Sequence, residues 1–533
     1  MIDRESLRSN ARYLRNVRPI DPDEIHEYVA GTPHPAVVRE ALREEAFDLG
    51  LVERPDGTFV PAPKGSIAAR DWGPTSFPEA YARAVEDLLV ERYGADWHRG
   101  ESGDRLRATI RRLKDDYYRG NPVDYDETAA VAYAVYHLPD YYAAIGYVLE
   151  PLAADGLLPR RLRVLDVGAG SGGPALGLHD YCFGTPTVDD EFGRLAAAGA
   201  EGSAGGESVT DGDPEPGDVA GAGGDDVAGV GDDEDAAGTA PALVDYHAIE
   251  PSAAADLAER FLEGTDRNFR TTVHRETAEA FDLDRAIEAG GPFDLVVFAN
   301  VLSELDDPVA VVERYREALA EDGTLALLAP ADLETATTLR TVERAVAPPG
   351  GDLDVYAPTL RLWPDAAPSD RGWSFDRGAD VEAPAVQRRL DDAADRSAAD
   401  EPGTFTNETV QFAYALLRPD GRHRVDVRAD PARHARFADS ERHVTGRVDA
   451  LAVKLSHDLS SSPDANPLFK IGDGSERVEH YAVCTRPSAV NRDLLDAPYG
   501  AVLSLENVLV LWNDDEGAYN LVVDGETYVD LVA

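Results

Sequence analysis

From Arg161 onward the chain alternates short hydrophobic strands with helical stretches, and this rhythm constrains the fold more than any other feature. Strands are predicted over 162–167, 244–249, 271–274, 293–299 and 324–329. Their near-continuous apolar runs suit a parallel sheet buried on both faces. The first strand leads straight into Asp166-Val167-Gly168-Ala169-Gly170-Ser171-Gly172-Gly173, and a helix is predicted from Pro174. The expected fold class is therefore α/β with a Rossmann-like sheet.

The flanks read differently. Residues 1–120 are expected to form a helical N-terminal region. There the apolar spacing of 36–49 runs into a hairpin signal at Asp56-Gly57, the pattern of a small winged unit. The sheet domain is expected over 121–345. A second helical stretch, 125–152, carries Tyr133, Tyr136, Tyr141, Tyr142 and Tyr147, and Pro139 is expected to split it into two helices. Its tyrosines suit a packing stripe better than the alternative, a lid over the glycine turn. Residues 185–241 are almost devoid of large apolar side chains and read as a disordered acidic insert in a surface loop. Residues 346–408 read as an irregular linker. After that, 409–533 is β-rich, with about five strands, which suggests a small barrel of the oligonucleotide-binding type.

Of the 533 residues, 100 are Asp or Glu against 51 Lys or Arg, a net charge of −49. Only Lys64, Lys114, Lys454 and Lys470 are lysines. An acidic, lysine-poor chain suits a cytoplasm of molar salt, where the Debye length shrinks to ~3 Å and surface charge reports the solvent rather than the partner. The more usual reading of such acidity argues against nucleic acid and anionic membranes. Two basic islands stand out locally. One runs from Arg418 to Arg447 and includes Arg422, Arg424 and Arg428. The other comprises Arg105, Arg107, Arg111, Arg112 and Lys114. Each is either a phosphate-facing patch or a surface balancing nearby acids. No apolar run of about 18 residues is present, so a cytoplasmic location without a membrane span is expected. Two cysteines, Cys182 and Cys484, cannot build a disulfide framework or an all-cysteine metal site.

Glycines at a strand-to-helix turn let backbone amides approach a ligand closely. Nicotinamide-dependent enzymes use a similar turn, so the turn alone does not choose the cofactor. Asp166, two places before Gly168, would repel a pyrophosphate and attract an ammonium or sulfonium group. Glu250 ends the next strand once the insert is set aside, where an acid hydrogen-bonds ribose hydroxyls in sheets of this winding. Together these point to S-adenosylmethionine, held by Asp166, Gly168, Gly170, Gly172, Glu250 and Asn300, in a class I methyltransferase sheet. Asn300 and Ser303 follow the strand at 293–299 and are the candidates for the catalytic end, with Asn300 alternatively only capping a turn. No Asn-Pro-Pro-aromatic tetrad and no nearby cysteine is present, so neither of two common ways of methylating bases is legible. No metal ligands are expected.

Three stretches together resemble one family, the methyltransferase-like assembly factors of the small ribosomal subunit. They are Tyr136-His137-Leu138-Pro139-Asp140-Tyr141-Tyr142-Ala143-Ala144, then Leu165-Asp166-Val167-Gly168-Ala169-Gly170, then Asp294-Leu295-Val296-Val297 with Val301-Leu302-Ser303-Glu304-Leu305. The resemblance spans roughly 125–345, with an echo at 470–492. It implies S-adenosylmethionine binding, association with the small subunit and its RNA, and a role in ribosome maturation or translation. Under it, Arg422, Arg424, Arg428, Arg447 and Lys470 are candidate RNA contacts. Many members hold an iron–sulfur cluster through cysteines; Thr359 and Ser374 stand where those are expected, so no cluster is expected here. His137 replaces the family's usual arginine. Three readings stay open: an RNA methyltransferase, a non-catalytic assembly factor, and a methyltransferase of small molecules or proteins.

Overall fold

The computed structural model describes residues 2–118, 125–184, 241–363, 373–395, 401–462 and 464–533. The segment read as an acidic insert lies, but for residue 241, outside the described residues. At the N-terminus, α1 (Arg4–Leu14), α2 (Pro22–Ile25) and α3 (Pro35–Leu49) precede a hairpin of β1 (Leu51–Glu53) and β2 (Phe59–Pro61). Gly50 ends α3 in the left-handed conformation, φ +60°, and the chain turns straight into β1. Leu7, Ala11, Val38, Leu42, Leu51 and Phe59 close a core of their own, as the helix-then-hairpin reading anticipates. The backbone N–H and C=O of Glu53 both bond the Asn268 amide, at 2.7 and 3.0 Å, which ties this unit to the main sheet.

The remainder of the helical region does not stand apart. Helices α4 (Glu79–Tyr93), α5 (Gly100–Tyr118) and α6 (Glu127–Ala154) share one core with the sheet that follows. The predicted break at Pro139 is absent, and a distant side chain compensates for the proline. Proline removes the N–H that would bond Val135 O, and Gln387 Nε2 supplies that bond instead at 2.9 Å.

The main sheet takes β3 (Arg161–Val167), β4 (Leu243–Ile249), β5 (Phe269–His274), β6 (Phe293–Ala299) and β7 (Leu319–Pro330) in the order β5-β4-β3-β6-β7, all parallel. Crossovers run through α7 (Gly173–Phe183), α8 (Ala254–Leu262), α9 (Leu283–Gly290) and α10 (Pro308–Arg316). Period-2 alternation divides the strand residues between two cores. Val164, Tyr246, Leu295 and Ala326 face α6, α7 and α8, whereas Leu165, Val296, Phe298 and Leu327 face α10 and α11 (Leu333–Val346).

Two boundary readings are corrected here. The stretch 346–408 is not a free linker: β8 (Asp354–Ala357) and β9 (Asp376–Arg377) pair into the main sheet, and α12 (Ala385–Asp392) packs on α4 and α6. Strand β10 (Gln411–Arg418) does not begin the barrel. It runs antiparallel to β7 and to β8 and completes the order β5-β4-β3-β6-β7-β10-β8. Its antiparallel partners leave no mark in its own sequence, so it looks like the first strand of the β-rich tail.

The barrel itself is built from β11 (Arg447–Lys454), β12 (Leu468–Gly472), β13 (His480–Cys484), β14 (Val502–Asn513) and β15 (Ala518–Val523). Pairing runs β11-β12-β13-β15-β14 and returns to β11, with β13 and β15 parallel. A short helix, α13 (Asp493–Asp496), connects β13 to β14, and β16 (Tyr528–Leu531) extends β14. This closed five-strand ring, with a helix between its third and fourth strands, is the connectivity of oligonucleotide-binding folds. Among the described residues no helix is long and apolar enough to cross a membrane.

Candidate functional site

The carboxyl ends of β3, β4 and β6 open into a cleft of about 440 Å³, where open α/β sheets hold ligands. Gly168, φ +74°, sits so close to the end of β6 that a Cβ there would meet Val301 Cγ2 at 2.5 Å. Only glycine fits that backbone and that gap. Gly170, φ +55°, borders the cleft and donates its N–H to Glu250 Oε2 at 2.9 Å. The N–H of Ser252 bonds the other oxygen of Glu250, also at 2.9 Å. Glu250 thus ties the glycine turn to the end of β4 while its 7% exposed side chain borders the cleft. Asn300, held at φ +60° with its N–H on Leu328 O, lines the opposite wall.

Three of the expected residues lie outside the cleft's lining. Asp166 is fully buried and does not border the cleft; it accepts the Tyr246 hydroxyl on Oδ2 and leaves Oδ1 without a partner. Burial, opposed by the Tyr246 bond and helped by the charge of Glu250, pushes its carboxyl up to about 7. Gly172 caps α7 against Ala258 and is likewise not among the cleft's lining residues. Ser303 is exposed and outside the lining, whereas its neighbour Glu304 is in it.

Glu304 connects the cleft to a second chamber of about 400 Å³, and Tyr125, Tyr133 and Asn300 also line both. The Tyr125 hydroxyl donates to Glu304 Oε1 at 2.9 Å. Glu304 still meets solvent in the open chamber. Even so, the surrounding protein displaces enough water to raise its carboxyl to about 7, against the Tyr125 bond and with the Glu250 charge. The second chamber is walled by one face of α6, where Tyr133, Tyr136, His137, Asp140 and Tyr141 recur at helical spacing. The aromatic stripe is therefore divided: Tyr142 packs in the core, while Tyr133, Tyr136 and Tyr141 line this chamber. The spacing was visible in the sequence. The cavity facing it was not, because Lys114, Asn407, Thr409 and Gln411 reach it from distant elements.

Several of the candidate cations are already held by acids or buried. Lys470 is 2% exposed and paired with Glu479. Arg447 is held by Asp524 and Glu526, and Arg418 is buried against Asp420. In the other island Arg107 is buried and bonded to Leu390 O, and Lys114 turns into the second chamber. Arg422, Arg424 and Arg428 are exposed, with Asp420 and Asp426 beside the first and last at 3.6 Å. Thr359 and Ser374 are buried. Among the described residues no cluster of three or more potential metal ligands occurs.

Family comparisons agree with this geometry. Residues 227–325 match the profile of a methyltransferase domain. The N-terminal and C-terminal domains of a domain of unknown function, DUF8157, match over 4–55 and 438–532. No curated protein sequence matches the chain. Solved structures similar to it include the plantazolicin methyltransferase BpumL in complex with SAH, at 10% identity over 63% of this chain and 98% of that one, TM-score 0.25. The mitomycin 7-O-methyltransferase MmcR follows at 14% over 63% and 80%, TM-score 0.20. The glycopeptide N-methyltransferase MtfA gives 16% over 33% of this chain, which spans about half, 49%, of that one, TM-score 0.17. Scores this low carry no weight for the reaction. The methyltransferase-domain match runs from before β4 into β7, lies between the two DUF8157 matches, and begins after the glycine turn.

Proposed function

We propose that the chain transfers a methyl group from S-adenosylmethionine to an acceptor held in the second chamber. The single observation that carries this reading is the pair of joined cavities, one at the strand ends beside Gly168, Gly170 and Glu250, the other behind Asn300 and Glu304. S-adenosylmethionine, when bound, supplies an electrophilic sulfonium methyl. The chain's own residues fit such a ligand: a glycine cradle without Cβ atoms, and a carboxylate on the rim whose lone pairs outnumber its two backbone donors. Glu304, poised near neutrality at the junction, can take a proton from the acceptor. The tyrosine walls position the acceptor and exclude water.

A second reading, in which the acceptor is small-subunit ribosomal RNA or the chain is an assembly factor, draws support from the connectivity of the closed barrel and from exposed Arg422, Arg424 and Arg428. Lys470 and Arg447, already neutralised by acids, weigh against it. Calorimetry with S-adenosylmethionine, at low and at molar KCl, tests the cofactor. The expected outcome is binding by the wild type and much weaker binding by Glu250→Ala. Absence of wild-type binding under both conditions overturns the methyltransferase reading. Co-sedimentation with small ribosomal subunits tests the second reading.

A further inference from the structure

We infer that the second chamber is built for an amine: a small molecule bearing a protonated nitrogen, methylated on that nitrogen. The inference rests on the methyltransferase reading for its chemistry, but the chamber's preference for cations stands on its own geometry. Five rings meet there. Tyr125 and Tyr133 stand edge to face at 86° with centroids 5.4 Å apart. His137 stacks on Tyr141 at 5.1 Å and 12°, and Tyr136 stands at 87° to His137. An aromatic ring face carries a negative quadrupole that attracts a cation. One face is already used in this way: the Lys114 ammonium lies 3.9 Å from the Tyr136 centroid, anchored on Thr404 O at 2.9 Å.

Charge points the same way. Among the described residues, Asp140, Glu304 and Asp332 border the chamber, against the ammonium of Lys114. Asp332 is committed to capping α11, and Glu304 accepts from Tyr125. Asp140 keeps one buried oxygen, Oδ1, with no hydrogen-bond partner, while its Oδ2 lies 3.4 Å from His137 Nδ1. A buried carboxylate oxygen left empty costs free energy that an ammonium donor recovers. A volume of about 400 Å³ is of the size that takes a small molecule.

The reaction balances without another reagent. The substrate ammonium gives one proton to the Glu304 carboxylate. The freed nitrogen lone pair forms the N–C bond as the C–S bond breaks, and that bonding pair stays on sulfur as a neutral thioether. The product leaves as a methylated ammonium, and Glu304 releases its proton to solvent.

The full chain, without S-adenosylmethionine, is titrated by calorimetry with 3,3-dimethylbutan-1-amine, which is protonated at neutral pH, and with its neutral near-isostere, 3,3-dimethylbutan-1-ol. The ammonium is expected to bind roughly tenfold tighter. Asp140→Asn and Tyr141→Leu should each erase most of that preference while leaving affinity for S-adenosylmethionine unchanged, which also shows that the variants are folded. Equal affinity for the two probes, no binding of either, or a preference untouched by both variants overturns the inference. A preference for the ammonium probe in a chain that fails to bind S-adenosylmethionine keeps the amine site and removes the methyltransferase reading.

Discussion

The two chambers of the cleft are made by different means. The first is framed largely by main chain: Gly168 and Gly170 at one turn, the end of β4 at another, and a single carboxylate, Glu250, joining them. The second is framed by side chains, one face of α6 set against residues from α5, β7, β10 and the segment before β10. A main-chain site is fixed once the strands pair, and it tolerates little change at the glycines. A side-chain site can change what it accepts without disturbing the sheet. That is the division expected if one chamber holds a common methyl donor and the other a particular acceptor.

Four measurements break or sharpen the contrast. The largest effect is expected at the junction. Glu304→Gln should cut turnover of any amine the wild type methylates by about 10²–10⁴-fold, with S-adenosylmethionine affinity unchanged. Wild-type rate should climb as pH rises through about 7 and the carboxyl loses its proton, and that limb should vanish in the variant. A rate that keeps the same acid limb in Glu304→Gln would assign the proton to another group. Next, Glu250→Ala removes the acceptor of two backbone amides and a wall of the first chamber. At ~1.5–3 kcal/mol for a bond to a charged group, S-adenosylmethionine should bind on the order of 10–100-fold more weakly. The amine probe should bind as before, and a parallel loss of its binding would mean that the chambers are one site.

Gly168→Ala sets a Cβ 2.5 Å from Val301 Cγ2 on a backbone at φ +74°. The expected cost is about 1–3 kcal/mol of stability, read as a lower midpoint in thermal or denaturant unfolding. An unchanged midpoint would show that the ends of β3 and β6 do not meet as described. The fourth measurement concerns Asp166. Its folded-state carboxyl is raised from 3.8 to about 7, so in that window the folded chain keeps a proton that the unfolded chain has lost. Stability from this group therefore falls as pH rises from 3.8 to about 7 and is flat above. Asp166→Asn removes that slope, and its melting temperature relative to wild type should rise with pH across the same window. A constant offset would place the titration elsewhere.

Legibility in the sequence follows the same division. The parallel strands are buried on both faces, so their apolar runs announce them, and the glycine turn with Glu250 lies in contiguous motifs. Asp166 was read into the cleft from its place in the motif. Strand pleat decides otherwise, because it sits on the face shared with Val164 and Tyr246 and is buried there. The proline in α6 was read as a break because its remedy, Gln387, lies 252 residues from Val135. Strand β10 was read into the barrel because pairing partners of an antiparallel strand leave no mark in its own sequence.

Local order, the period of two in the strands and the glycines at their ends, was determined by the sequence alone, since each depends on neighbours along the chain. The second chamber was decided only in three dimensions. Tyr133, Lys114, Glu304 and Gln411 meet there because separate elements close around one face of α6, and the surroundings that shift Glu304 toward neutrality exist only once they have met.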